Sequence, residues 1–319
     1  MTGFVGLDDI RRAEGRIRPH VQRTPMLADP LLRGCLLKQE YRQTTGAFKL
    51  RGATNAVLAL SSAQLARGVV TASTGNHGRA LAHAARAAGG RAVVCLSHLV
   101  PANKVQAVRD LGAEVRIIGQ SQDEAMVEVA RAVAEEGLTE VPPFDHPDVV
   151  AGQGTLGLEV LADCPAPDAV LVPLSGGGLA AGVAAAVRAL SPATRIVGVS
   201  MERGAAMAAS LARGAPVLVE EVPTLADSLG GGIGLGNRLT FAMCRALLDD
   251  VVLVGEAEIA AAMRHILFAT GDRVEGAAAV GVAALLSGRI ACGAATLCLL
   301  TGANVAPETF DQALKGRAA

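Results

Sequence analysis

Short runs of β-branched residues alternate with alanine-rich stretches of helical spacing along most of this chain, and that alternation limits its fold more than any other feature. Strands are predicted at 35–40, 69–72, 92–97, 114–118, 169–174, 196–200, 251–254 and 295–300. Helices are predicted at 48–60, 75–88, 101–111, 121–136, near 154–161, and at 178–190, 237–248, 256–269 and 275–286. Strands separated by helices predict an α/β fold, with open and mainly parallel sheets covered by helices on both faces. Ligands in such folds sit beyond the C-terminal ends of the strands. The segment Val141-Pro142-Pro143-Phe144 with Pro147 interrupts the rhythm and is the expected crossing between domains.

The chain has 319 residues, 51% of them hydrophobic and 18% charged, so it can bury a large core in one or two domains. Its 29 basic residues nearly cancel 30 acidic ones, and aromatics are 2%, which argues against a nucleic-acid surface. The longest apolar runs, 179–187 and 277–300, are respectively alanine- and glycine-rich and broken by Arg289, so no membrane span is expected. The N-terminus lacks an export pattern. Six cysteines at irregular spacing, with no metal-binding arrangement, read as free thiols in a reducing cytoplasm.

Three segments carry chemistry. In Leu171-Val-Pro-Leu-Ser175-Gly176-Gly177-Gly178-Leu179 an apolar strand runs through serine and three glycines into a helix. Free N–H groups at such a turn, with the positive end of the helix dipole, form a cradle for a compact phosphate. The pattern is neither the dinucleotide fingerprint nor a P-loop, and a tight connection without ligand reads equally well. In Thr71-Ala-Ser73-Thr74-Gly75-Asn76-His77-Gly78, hydroxyls, an amide and helix N–H groups converge where a carboxylate could be held. Helix capping accounts for one of those side chains, not for all. Lys49 lies between Phe48 and Leu50 in a chain with only four lysines (38, 49, 104 and 315). A desolvated lysine can form an imine, although an arginine-biased genome and an ordinary surface cation would explain this segment alone.

A phosphate cradle, a carboxylate loop and an apolar-flanked lysine together suggest pyridoxal phosphate acting on an amino acid. Gly46-Ala-Phe-Lys-Leu-Arg-Gly-Ala53, Ser73-Thr-Gly-Asn-His-Gly78, Ala151-Gly-Gln-Gly-Thr155, Ser175-Gly-Gly-Gly178 and Leu300-Thr-Gly-Ala-Asn304 stand in the order found in fold-type II pyridoxal-phosphate enzymes. The chain resembles the threonine/serine dehydratase and serine racemase branch from about Arg23 to Asn304. The runs Arg42–Lys49, Pro143–Pro147, Met201–Met207 and Asp227–Leu235 are similar to the hydroxyectoine-utilisation dehydratase subgroup.

The resemblance implies that Lys49 holds the cofactor covalently and serves as general base, with Phe48 flanking the ring and Asn76 bonding the ring oxygen. It places Ser73, Thr74, Gly75, Asn76 and His77 around the substrate carboxylate. It places Ser175, Gly176, Gly177, Gly178 and Leu179 around the phosphate, and Thr301 opposite the pyridine nitrogen. Glu275 matches an acid near the ring edge, or else is a solvated carboxylate at a helix start. The implied reaction eliminates water from a threonine- or serine-type substrate to give a 2-oxo acid and ammonia.

Three departures qualify the resemblance. Where the racemase-like branch has acids for a divalent cation, this chain has Ser200, Gly204 and Ala206, so no metal is expected there. Where the racemases have a second acid/base serine, it has Thr74, which leaves side racemisation open. Only a short stretch follows the Thr301 motif here, so neither a regulatory domain nor feedback control is expected. The implied architecture is a large cofactor domain, residues 1–52 with 148–319, and a small inserted domain, 53–147, in a cytoplasmic homodimer. The competing readings are dehydration of a hydroxyectoine derivative, amino-acid racemisation, and a non-catalytic binder of the cofactor or an amino acid.

Overall fold

The computed structural model describes residues 3–73, 75–98, 100, 102–120 and 122–315. Its ten strands are β1 (Met26–Ala28), β2 (Cys35–Lys38), β3 (Val69–Ala72), β4 (Ala92–Leu96), β5 (Glu114–Ile117), β6 (Thr139–Glu140), β7 (Ala169–Pro173), β8 (Arg195–Met201), β9 (Asp250–Val254) and β10 (Thr296–Leu299). The helices in the first half are α1 (Leu7–Ile17), α2 (Lys49–Leu58), α3 (Ser62–Arg67), α4 (Asn76–Ala87), α5 (Ala102–Asp110), α6 (Gln122–Glu136) and α7 (Pro147–Asp163). Those in the second half are α8 (Gly178–Leu190), α9 (Ala206–Arg213), α10 (Leu239–Leu247), α11 (Glu256–Thr270), α12 (Gly276–Leu286) and α13 (Pro307–Leu314).

Two sheets result, of order β1-β2-β10-β7-β8-β9 and β5-β4-β3-β6. Every pairing is parallel except β1 with β2, so the α/β expectation holds. Strands β3, β4 and β7 are buried at every position, which is why their sequences read as continuous apolar runs rather than alternating ones. Helix α12 is buried from Gly276 to Leu285. Helices α7 and α8 cross closely: a Cβ on Gly182 would lie 2.3 Å from the Val150 carbonyl oxygen, so no side chain fits between them.

Register explains how distant motifs meet. Strands β2 and β10 are parallel neighbours with Leu299 beside Lys38, so both chains emerge at the same sheet edge. The segment after β2 then runs along the segment after β10: Tyr41 N–H donates to Leu300 O at 3.1 Å and Phe48 N–H to Thr301 O at 3.0 Å. An antiparallel bridge pairs Ala47 with Gly302 between them.

Several elements differ from the expected ones. Helix α7 begins at Pro147, not near Gly154, because Pro147 opens the helix rather than breaking the chain, and the His146 ring accepts from the Asp148 N–H at 3.2 Å. The arginine-rich start contains α1, which buries only Ile10, Ala13 and Ile17. Strands β1 and β6 and helices α3, α9 and α13 were not anticipated; all are short. Pro101 and Ser121, expected to open helices, lie outside the described residues. The expected division after residue 52 falls inside α2, which packs against both α7 and α4.

Candidate functional site

Lys49 is the first residue of α2 and half-buried, with its Nζ donating to the Pro143 carbonyl at 2.7 Å and standing 5.3 Å from the Phe48 ring centre. Desolvation lowers its pKa to about 8. Lys38, by contrast, is fully buried and held at 3.1 Å by Glu159 and 3.0 Å by Asp163. The amine of Lys49 thus combines a lowered pKa with a neutral acceptor.

The crossing segment that carries Pro143 touches the other motifs in turn. The Val141 carbonyl lies 2.8 Å from His77 Nε2, and burial together with the nearby Lys49 charge pulls the His77 pKa down to about 3. His77 is therefore a neutral imidazole that donates to Val141, in the first turn of α4. Phe144 packs on the glycine loop, where a Cβ on Gly176 would lie 2.2 Å from its ring and one on Gly178 3.0 Å from its Cα. The Asp145 carboxylate accepts from Thr240 N–H at 2.8 Å and Arg238 N–H at 3.1 Å, tying the same segment to the start of α10.

Ser175 and Gly176 leave the end of β7, and Gly177, at φ 88°, caps α8. That φ suits glycine and turns the chain so that the N–H groups of Gly178, Leu179 and Ala180 open the helix without partners of their own. Among the described residues nothing accepts from the N–H of Gly176, Gly177 or Gly178. The loop's carbonyls face the other way: Gly176 O accepts from Thr240 Oγ1 at 2.8 Å and Gly177 O from Cys244 Sγ at 3.7 Å. Such an arrangement of free N–H groups at a helix start could hold an anion.

Thr301 is buried beyond β10, and its carbonyl holds the Phe48 N–H. Asn76 donates from Nδ2 to both carboxylate oxygens of Glu275 at 3.0 Å. Glu275 is 3% exposed, so it is no solvated helix start. It accepts from the Asn304 N–H at 2.8 Å and from Ser228 Oγ at 3.2 Å, and burial raises its pKa despite those donors. Ser73 and Gly75 flank the start of α4 half-buried, while Thr74 lies outside the described residues.

Pro143, Phe144, Asn304 and Ser228 were not among the expected site residues. Pro143 acts through its carbonyl, which no residue pattern announces, and Phe144 and Asn304 stood inside matched motifs without a role of their own. Beyond β8, Glu202 pairs with Arg289 at 2.7 Å. Among the described residues no three His, Cys, Asp or Glu side chains are grouped to hold a metal ion, and no helix is long and apolar enough to cross a membrane.

The site therefore combines a depressed lysine, a helix start with free N–H groups and a polar group at α4, joined through one segment. That donor set fits pyridoxal phosphate: an amine for its aldehyde, N–H groups for its phosphate and an amide for its ring oxygen. Comparison with known proteins agrees. Residues 17–302 match the family described as pyridoxal-phosphate dependent enzyme. A Sinorhizobium fredii protein provisionally named threonine dehydratase is 59% identical over 98% of this chain and 96% of its own length. The L-threonine ammonia-lyase of Geobacter sulfurreducens is 42% identical over 95% of this chain and 76% of its own. The structure of maize serine racemase superposes with a TM-score of 0.91, at 33% identity, covering 98% of this chain and 97% of that one.

Proposed function

This chain belongs to the pyridoxal-phosphate dependent enzyme family, and on that premise we propose that it removes water from a threonine- or serine-type hydroxy amino acid, yielding a 2-oxo acid and ammonia. The observation that carries the reading is the Lys49 amine, depressed to about 8 and held by the carbonyl of Pro143, whose neighbour Phe144 packs on the glycine loop. The dehydratase and ammonia-lyase names of the relatives support the same reaction class.

Bound pyridoxal phosphate supplies the electron sink for loss of the α-proton. Lys49 would hold its aldehyde carbon and afterwards take the α-proton at Nζ, a task for which a pKa of about 8 leaves roughly a tenth of the amine neutral at pH 7. The Pro143 carbonyl would keep the released amine in reach. Ser175 with the N–H groups of Gly176, Gly177, Gly178 and Leu179 would hold the phosphate, with Phe48 beside the ring. Thr301 would offer the pyridine nitrogen a hydroxyl, which unlike a carboxylate does not enforce its protonation. Asn76 would donate to the ring oxygen, and Glu275 would anchor Asn76. Ser73, Thr74, Gly75, Asn76 and His77 would receive the substrate carboxylate at the start of α4, where helix N–H groups favour an anion.

Two further assignments belong to the same reading. The runs Arg42–Lys49, Pro143–Pro147, Met201–Met207 and Asp227–Leu235 support the hydroxyectoine-utilisation subgroup. An intact cyclic amidine has no primary amine to exchange with Lys49, so a ring-opened derivative is the compatible substrate. The working unit is a cytoplasmic homodimer, divided near residues 52 and 148 into a large cofactor domain and a small inserted one. Purified holoenzyme given L-threonine, L-serine and ring-opened hydroxyectoine in parallel tests the reaction. Release of 2-oxobutanoate or pyruvate with equimolar ammonia is expected, and a loaded protein that turns over none of the three refutes it.

A further inference from the structure

Asn304, beyond β10, joins three segments that are remote in sequence. Its Nδ2 donates to the Thr45 carbonyl at 2.9 Å and to Asn76 Oδ1 at 2.6 Å, and its backbone N–H donates to Glu275 at 2.8 Å. The loop around it is closed by the Ala303 N–H to Gly46 O bond at 3.0 Å. Gly46 itself, at φ 76°, has no room for a Cβ, which would lie 2.7 Å from Asn304 Oδ1.

These contacts form a chain of hydrogen bonds with a fixed direction. A backbone carbonyl can only accept, so the atom of Asn304 that faces Thr45 O must be its nitrogen. The second hydrogen of that nitrogen then requires an acceptor on Asn76, so Oδ1 of Asn76 turns to Asn304 and Nδ2 turns the other way. At the far end the Glu275 carboxylate receives Asn76 Nδ2 on both oxygens, which agrees with the same direction. Without Asn304, Asn76 would lose the donor that opposes its oxygen.

We propose that Asn304 is a positioning residue that, opposite Glu275, holds the oxygen end of the Asn76 amide away from the cofactor site, so that the site offers the ring oxygen of pyridoxal phosphate the remaining N–H and not a carbonyl. This rests on the reading of Asn76 as the partner of that oxygen. An acceptor in place of the donor would set two oxygens against each other, which is worse than no contact. Asn304→Asp keeps the shape but removes the donors and sets an acceptor against the Asn76 oxygen, whereas Asn304→Ala removes that donor alone and leaves the Glu275 carboxylate to hold Asn76 Nδ2.

The test is titration of the full-length apoprotein with pyridoxal phosphate, followed by visible absorbance, for the parent, Asn304→Asp, Asn304→Ala, Asn76→Ala and Asn304→Asp/Asn76→Ala. Asn304→Asp and Asn76→Ala are each expected to weaken binding by about five- to tenfold, the worth of one hydrogen bond. Asn304→Ala should lose less. The double variant should bind no more weakly than Asn76→Ala, because Asn304 acts only through Asn76. A purely structural role would instead lower the apoprotein's thermal midpoint and multiply the two losses, and that result overturns the proposal. Parent-like binding by Asn304→Asp beside a weakened Asn76→Ala overturns it alone. Parent-like binding by Asn76→Ala removes the reading of Asn76 as well, while leaving covalent attachment at Lys49 as a separate question.

Discussion

The amine of Lys49 is useful only when neutral, and burial brings that state into the working range by lowering its pKa to about 8. Addition to an aldehyde needs the unprotonated amine, so capture of pyridoxal phosphate by the apoprotein should accelerate with rising pH and level off above about 8. Stopped-flow absorbance across pH 6 to 10 measures this, and a rate still climbing toward the ordinary lysine value near 10.5 would contradict it. The sign for stability follows from the same shift. Below about 8 the folded apoprotein holds a charge that the unfolded chain solvates better, and that penalty fades as pH rises through the window from 8 to 10.5. Gly176 is the second residue with a sharp expectation. A methyl group there meets the Phe144 ring, so Gly176→Ala should cost about 1–3 kcal/mol in denaturant unfolding. Adding Phe144→Ala should lessen the clash and recover part of the loss.

Helix α2 carries the lysine, and its base is fixed by buried charge. Arg51, 1% exposed, donates to Glu40 at 2.7 Å and Glu159 at 2.8 Å, while Lys38 engages Glu159 and Asp163. Burial alone would raise the Glu40 carboxyl, but Arg51, Thr24 and Lys38 together bring it below its ordinary value. Arg51→Met would leave a buried carboxylate without its main partner, a loss of about 3–5 kcal/mol at neutral pH. In the parent, Glu40 contributes stability above the usual carboxylate pKa and loses it as pH falls through the lowered value. In the variant, acidification neutralises the stranded carboxylate. The gap between the two in urea unfolding should therefore narrow from pH 7 to pH 4, and a constant gap would assign the cost to lost packing.

At this same scale, the sequence was readable where elements have their own periodicity. The buried strands β3, β4 and β7 and the glycine loop before α8 stand out because parallel strands are apolar throughout and φ 88° at Gly177 calls for glycine. Helix α1 did not, since four apolar residues among arginines and acids leave a faint pattern. Long-range partners were not readable either. Whether a carboxylate at a helix start is solvated or buried depends on what covers it, so the 3% exposure of Glu275 could not be foreseen. The acceptor for Lys49 is a main-chain oxygen 94 positions away, and nothing in the residue types of that segment marks it.

Across the whole molecule, two mainly parallel sheets are bridged by the crossing segment from Val141 to His146. It touches His77 from the smaller sheet's helix, Lys49, and the glycine loop of the larger sheet. A ligand that engages these together should stabilise the fold as a unit. Saturating pyridoxal phosphate should therefore raise the thermal midpoint of the parent, since binding to the native state alone adds about 2.7 kcal/mol at a hundredfold excess over Kd. Lys49→Ala should gain much less, as differential scanning fluorimetry would show.

The most direct measurement of the central claim is borohydride reduction of the cofactor-loaded protein, followed by proteolysis and mass spectrometry. Of four lysines, Lys38 is fully buried between two carboxylates, whereas the Lys49 amine is depressed to about 8 and held by the Pro143 carbonyl, next to the Phe144 that packs on the glycine loop. The pyridoxyl group is predicted on Lys49 and on no other residue. An adduct on Lys38, Lys104 or Lys315, or none at all, would contradict the account.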